Sequence, residues 1–202
     1  MVKQLNLAPL KAGVDEAGRG PLAGPVVVAA VILPPEYELE FLDDSKRLTA
    51  ARRERLAPLF EAQAISFNVQ FVDADVIDRV NILQATLSGM QKAVEALDPE
   101  PGLVLVDGNC APDLSCRVET MIGGDRLVPS ISAASVLAKV YRDRLMLSMH
   151  ECYPDYGFDR HKGYPTALHL ERLRLLGPCP IHRKSFAPVR KVTEAVEDQP
   201  FT

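Results

Sequence analysis

From Val26 to Leu33 the chain runs through eight consecutive apolar residues, and Pro34-Pro35 then ends the run. A bounded apolar stretch of this length reads as a buried strand. It is the longest in the 202 residues and falls far short of the ~20 that a membrane helix requires. A chain that buries a strand of this kind is globular, and its length fits one domain of ordinary size. With 47% hydrophobic and 25% charged residues it is too apolar for a disordered chain and too mixed for a fibre. The N-terminus lacks an apolar core of signal-peptide length and meets acids early, so a cytoplasmic protein is expected.

The remaining pattern alternates strands and helices. Ala12 to Asp15 reads as the end of a short strand, and Gly13, Gly18, Gly20 and Gly24 with Pro21 and Pro25 mark a turn region around Asp15-Glu16. Thr49 can cap a helix from Ala50 to about Ala62. Ile65, Phe67, Val69 and Phe71 alternate as a half-buried strand. A short helix then starts at Asp73 or Asp75, and a longer one covers Ile82 to Leu97 with Leu83, Leu87, Met90 and Val94 as its stripe.

Leu103 to Val106 is a central strand delivering Asp107-Gly108-Asn109, and Arg117 to Ile122 is another strand, ending at Gly123-Gly124-Asp125. Ser130 or Ser132 opens a long helix to about Met149, Thr166 caps one to Leu176, and Ser185 begins the last. Strands early and helices late fit an α/β fold, one mixed sheet flanked by helices with a C-terminal helical lobe. The expected division is an extension over 1–12, a domain over 13–196 and a flexible tail over 197–202.

Charge is segregated. The net charge is −4, yet Lys139 to Lys191 holds 11 Lys and Arg against 5 Asp and Glu, together with all four histidines. A second basic run, Lys46, Arg47, Arg52, Arg53 and Arg55, follows Asp43-Asp44-Ser45. Either cluster alone reads as a solvated helix face. Two of them beside concentrated acids point to a polyanion bound over a cation-dependent acidic site. Cys110, Cys116, Cys152 and Cys179 form no CxxC pair and read as reduced, packed thiols.

The acids carry the chemistry. Asp15 and Glu16 lie between an apolar strand end and a glycine-rich turn, Asp107 ends an apolar strand, and Asp125 follows two glycines. They are too far apart in sequence for a local motif, so any cluster is built by the fold. Carboxylates at the C-terminal ends of neighbouring strands face the crevice where α/β sheets place their sites. Packed acids repel and shift toward protonation unless a cation is present. Oxygen-only ligands favour Mg²⁺ or Mn²⁺ over zinc. Singly, each acid reads as a turn residue or a helix cap.

These segments also resemble a known family. GVDEAGRGPLAGPVVVAAVIL from Gly13 is similar to the opening signature of bacterial ribonuclease HII. The likeness continues through LDDSKRL, VLVDGN, GGDRLVPSISAASVLAKVYRD, YGFDRHKGYPT and HRKSF, in order, from about Gly13 to Val189. At Gly123, where many relatives carry Lys, a charge near Asp125 is missing.

The resemblance implies a ribonuclease H-like fold with a mixed five-stranded sheet. It implies an enzyme that cleaves RNA in RNA–DNA hybrids and cuts 5′ of single ribonucleotides embedded in duplex DNA, a role in removing misincorporated ribonucleotides. By that likeness Asp15, Glu16, Asp107 and Asp125 hold two divalent ions, Mg²⁺ or Mn²⁺, roughly 4 Å apart. Products would be a 3′-hydroxyl and a 5′-phosphate. Gly18-Arg19-Gly20 and Tyr164 would read the ribonucleotide junction, where only the 2′-hydroxyl distinguishes ribose. Ser45 and Lys46 look like phosphate ligands, and Lys139, Arg142 and Lys162 could touch the backbone, with solvated faces as their plain alternative.

Another acidic-site nuclease of the same fold, such as a resolvase, and a non-catalytic nucleic-acid-binding module are the competing readings. The Asp-Glu-x-Gly-Arg-Gly block argues against the first. The absence of GxxxxGK[ST] removes a P-loop version of the second. Ribonuclease HIII, with its added N-terminal domain, is a closer rival. Gln4-Leu5-Asn6-Leu7 loosely resembles a sliding-clamp-binding peptide, and a monomer is the default.

Overall fold

The computed structural model describes residues 9–35, 37 and 48–197. Five strands form one mixed sheet: β1 (Lys11–Ala17), β2 (Val26–Ile32), β3 (Ser66–Val72), β4 (Leu103–Asp107) and β5 (Arg117–Met121). Their order is β3-β2-β1-β4-β5. The first three pair antiparallel, while β1–β4 and β4–β5 are parallel. The helices are α1 (Ala50–Gln63), α2 (Ala74–Glu95), α3 (Pro129–Cys152), α4 (Phe158–His161), α5 (Ala167–Leu176) and α6 (Ala187–Glu197).

The apolar run forms β2 over its first seven residues, all of them fully buried. Successive strand side chains point to opposite faces, so both faces need cover. Ala29 and Val31 pack with Ala57 and Phe60 of α1 and with Ala133, Ala134 and Leu137 of α3. Val28, Ala30 and Ile32 pack on the other face with Met90, Ala93 and Val94 of α2, beside Val14 and Val106. Each fully buried Val or Ile contributes about 1.5–3 kcal/mol, and this strand therefore anchors a three-layer α/β/α arrangement.

Local signals set most boundaries. The Thr49 side chain accepts a hydrogen bond from Arg52 N at the start of α1, and Thr166 accepts from His169 N at the start of α5. α2 is two helical segments joined at Asn81, whose φ is 71° and whose Oδ1 accepts from Leu83 N and Gln84 N. That matches the expected short and long helices, with Asn81 as the cap between them. The long helix α3 starts at Pro129, before either serine, because Pro suits a first helical position. The last helix starts at Ala187; Ser185 instead gives its N–H and hydroxyl to Asp78. The first strand begins at Lys11, inside the segment read as an extension. Among the described residues no helix is long and apolar enough to cross a membrane.

What positions the site is α3, which runs along β1 and the loop after it. Gly13 meets the α3 backbone at Ser130 and Ile131, where a Cβ would lie 2.2 Å from Ile131 N. No side chain fits in that gap. Further along, Asp15 meets Ser135, Gly18 meets Arg142 and Gly24 meets Met146. The C-terminal lobe then closes on the loop between β1 and β2: Ala23 packs with Met146, Tyr156, Phe158 and Cys179, and Leu22 with Leu173 and Val189.

Candidate active site

Asp15 and Glu16 stand near the C-terminal end of β1, and Asp107 ends the adjacent parallel strand β4. The register pairs Val14 with Val106, which brings Asp15 and Asp107 level at the next step. Asp125 lies in a 3₁₀ turn (Gly124–Arg126) just after β5 and is 1% exposed. Asp107 Oδ1 accepts from Gly124 N at 2.8 Å, tying the β4 end to that turn. The fold thus brings the acids from three neighbouring strand ends to one edge of the sheet.

Electrostatics there oppose charge. Burial, then the neighbouring Glu16 and Asp107 carboxylates, push the Asp15 carboxyl up to about 8. The Ser135 side chain of α3 and the Glu16 N–H, 2.7 Å from Oδ1, only partly offset this. Burial also raises Glu16, opposed by Arg19, whose Nη1 lies 3.4 Å from Glu16 Oε1. Asp15 and Glu16, which resist ionising side by side, are a pair that a hard cation would relieve. The all-oxygen donor set fits Mg²⁺ or Mn²⁺. Among the described residues no three His, Cys, Asp or Glu side chains already converge on one point as a closed cage.

Beside the acids, the Gly18-Arg19-Gly20 loop faces Tyr164. A Cβ on Gly20 would lie 3.9 Å from Tyr164 Cε1. Gly18 has φ +98° and sits directly on the Arg142 side chain, so both its backbone angle and its space require glycine. Tyr164 is 39% exposed, with Lys139 Nζ and Arg142 Cζ 5.7 and 5.6 Å from its ring centroid.

Among the basic residues expected at phosphates, Arg142 is corrected. It is fully buried, and its guanidinium donates to Pro25 O at 3.1 Å and Ala23 O at 3.2 Å. A side chain with no exposed surface cannot reach a phosphate; it shapes the loop from beneath. Lys139 pairs with Asp143 at 2.7 Å and stays partly exposed. Lys162 Nζ donates to Asp159 O of its own turn. Ser45, Lys46 and the Gln4–Leu7 peptide lie outside the described residues.

Arg183 stands out only in the structure. It is fully buried, and donates to Gly18 O (2.6 Å), Arg19 O (2.9 Å) and Gly24 O (2.9 Å). The buried histidines His161, His169 and His182, which surround Phe158, likewise stand out only there. The segments HRKSF and YGFDRHKGYPT include His182, Arg183 and His161 in the resemblance, but no pattern there shows burial, because in a basic stretch an Arg or His reads as surface.

A five-stranded mixed sheet carrying acids at the ends of adjacent parallel strands, with helices on both faces, defines a nuclease of the ribonuclease H-like class. The family model described as Ribonuclease HII matches residues 12–189. Ribonuclease HII of Bordetella avium is 61% identical over 179 residues, 89% of each chain. That of Nitrosococcus oceani is 54% identical over 184 residues, 91% of this chain and 92% of its own.

Among solved structures, ribonuclease H2 from Pyrococcus horikoshii superposes with a TM-score of 0.80 at 26% identity, covering 94% of this chain and 99% of its own. The ribonuclease HII of Archaeoglobus fulgidus, solved in complex with PCNA, gives 0.70 at 27% identity, covering 95% and 98%. A ribonuclease HIII solved with Mn²⁺ shares the fold at 0.72 and 20% identity, but this chain spans only 72% of it. The chain belongs to the ribonuclease HII family, and it is an endoribonuclease acting on RNA–DNA hybrids.

Proposed function

We propose that the enzyme cuts on the 5′ side of a ribonucleotide embedded in duplex DNA, leaving a 3′-hydroxyl and a 5′-phosphate, and so removes misincorporated ribonucleotides. Asp15, Glu16, Asp107 and Asp125 hold its cofactor, Mg²⁺ or Mn²⁺. The observation that carries this is the gathering of Asp15, Glu16, Asp107 and Asp125 at the ends of the neighbouring strands β1, β4 and β5, where burial and the flanking carboxylates raise Asp15. When bound, two divalent ions would activate the attacking water and stabilise the leaving oxygen.

The chain's own residues do the rest. The buried Asp15 and Asp125 and the half-buried Glu16 and Asp107 would keep the ion site at the sheet edge, and Arg19 balances Glu16. Arg19 and Gly20 of the glycine loop expose backbone where a sugar can approach closely, above the buried Gly18. The Tyr164 ring opposite offers a face to stack on and a hydroxyl to join a polar contact at the 2′-oxygen. Lys139 supplies positive charge beside that ring. The clamp-binding reading of Gln4–Leu7 belongs to the same proposal; support comes from the archaeal relative solved with PCNA. The deciding experiment is an end-labelled duplex with one ribonucleotide, incubated with and without Mg²⁺ or Mn²⁺. Cleavage without a divalent ion, or on the 3′ side of the ribonucleotide, would overturn the proposal.

A further inference from the structure

Arg183 and His182, adjacent in the chain, each reach one wall of the surface just described. Arg183 N donates to Leu22 O at 2.8 Å, which fixes the dipeptide beneath the β1–β2 loop. Its guanidinium gathers the carbonyls of Gly18, Arg19 and Gly24. A planar fork fixes the directions of all three oxygens at once, which a flexible ammonium does not.

His182 works in the other direction. Cys179 N–H lies 3.0 Å from His182 Nδ1 and donates to it, so in the neutral ring Nε2 carries the proton. His182 Nε2 therefore donates to His169 Nε2 at 3.1 Å. His169 then carries its own proton on Nδ1, 3.0 Å from Tyr164 O, and donates there. One set of tautomers satisfies every ring nitrogen, and the chain of bonds ends on the backbone of Tyr164. His161, stacked on His169 with centroids 4.4 Å apart, accepts from Gly163 N and holds the preceding residue. The two walls also meet directly, through Leu22 N to Gly163 O at 2.8 Å.

We infer that His182-Arg183 is the positioning unit of the ribose-reading surface: Arg183 sets the Gly18-Arg19 backbone, and His182, through His169, sets Tyr164. This inference rests on the proposed reading of ribose by those two walls. Neither residue touches substrate. Both fix the spacing between groups that would, and a small misplacement is amplified at a site recognising a single sugar.

The test is a double-mutant cycle between His182→Asn and Tyr164→Ala, read as kcat/KM on a single-ribonucleotide duplex and on a long RNA–DNA hybrid. Asn can mimic Nδ1 and keep the Cys179 bond while losing the link to His169. His182→Asn is expected to lose roughly tenfold on the single ribonucleotide, as coupled neighbours do, and much less on the hybrid. In the Tyr164→Ala background it is expected to cost nothing further. His182→Gln, which can restore the bond to His169, should recover most of the loss, and Arg183→Lys should show the same substrate selectivity. Urea midpoints measured alongside identify any variant that simply fails to fold; His182→Gln and Arg183→Lys then carry the cycle.

Losses that multiply, with Tyr164→Ala itself selective, overturn the positioning role and leave the ribose reading intact. An unselective Tyr164→Ala with a coupled cycle removes the ribose reading while His182 still acts through Tyr164.

Discussion

Metal binding to this enzyme should be a proton-release reaction. With its carboxyl at about 8, Asp15 is protonated in about nine of ten metal-free molecules at pH 7. An ion needs the carboxylate, so binding at pH 7 should expel roughly 0.9 proton from this residue, falling to about 0.1 by pH 9. The same relation makes apparent affinity rise about fiftyfold from pH 6 to pH 8 and flatten beyond. Glu16, raised in the same direction, adds to the effect.

The sign for stability is opposite in the metal-free protein. The fold holds a proton that the unfolded chain has already released, so stability falls as pH climbs from about 4 towards 8. Calorimetric titration of Mg²⁺ in buffers of different ionisation enthalpy counts the protons directly. Asp15→Asn should remove them. Wild type that releases no proton at pH 7, with affinity flat between pH 6 and 8, would refute the account of the acidic cluster.

Asp107→Asn should abolish cleavage, by about two orders of magnitude or more, because an amide is a poor ligand for a hard cation; the amide oxygen can still accept from Gly124 N, so the urea midpoint should stay close to wild type. His169 and His182, pushed down to about 4 mainly by burial, refuse protons that the unfolded chain accepts. Their contribution to stability is full above about pH 6.5 and is lost as pH falls toward 4, about 2 kcal/mol for each between pH 7 and 5. Urea unfolding under saturating Mg²⁺ reads this, and His169→Gln should flatten the acid limb. Gly13→Ala should cost about 3 kcal/mol or more, since its Cβ would press on backbone of α3 that cannot move aside cheaply; thermal unfolding checks it. Arg142→Met should destabilise the fold while leaving the salt dependence of duplex binding unchanged, because a buried guanidinium contributes no released counterions.

The sequence by itself determined the elements and the acids. An eight-residue apolar run and capping residues such as Thr49 and Thr166 act through nearest neighbours, so their consequences are legible locally. Asp15 and Glu16 were legible because they precede a glycine-rich turn, Asp107 because it ends an apolar strand and Asp125 because it follows two glycines, and strand ends in an α/β sheet share an edge. Only the tertiary structure decided which cations face solvent. Arg142 and Arg183 look like their exposed neighbours in the sequence, yet α3 and the C-terminal lobe enclose them against the carbonyls of residues 18–25. It also decided that three histidines stay neutral and joined to the Tyr164 loop. Burial and hydrogen-bond partners come from segments more than a hundred residues apart in some pairs, and no local pattern encodes a partner that distant.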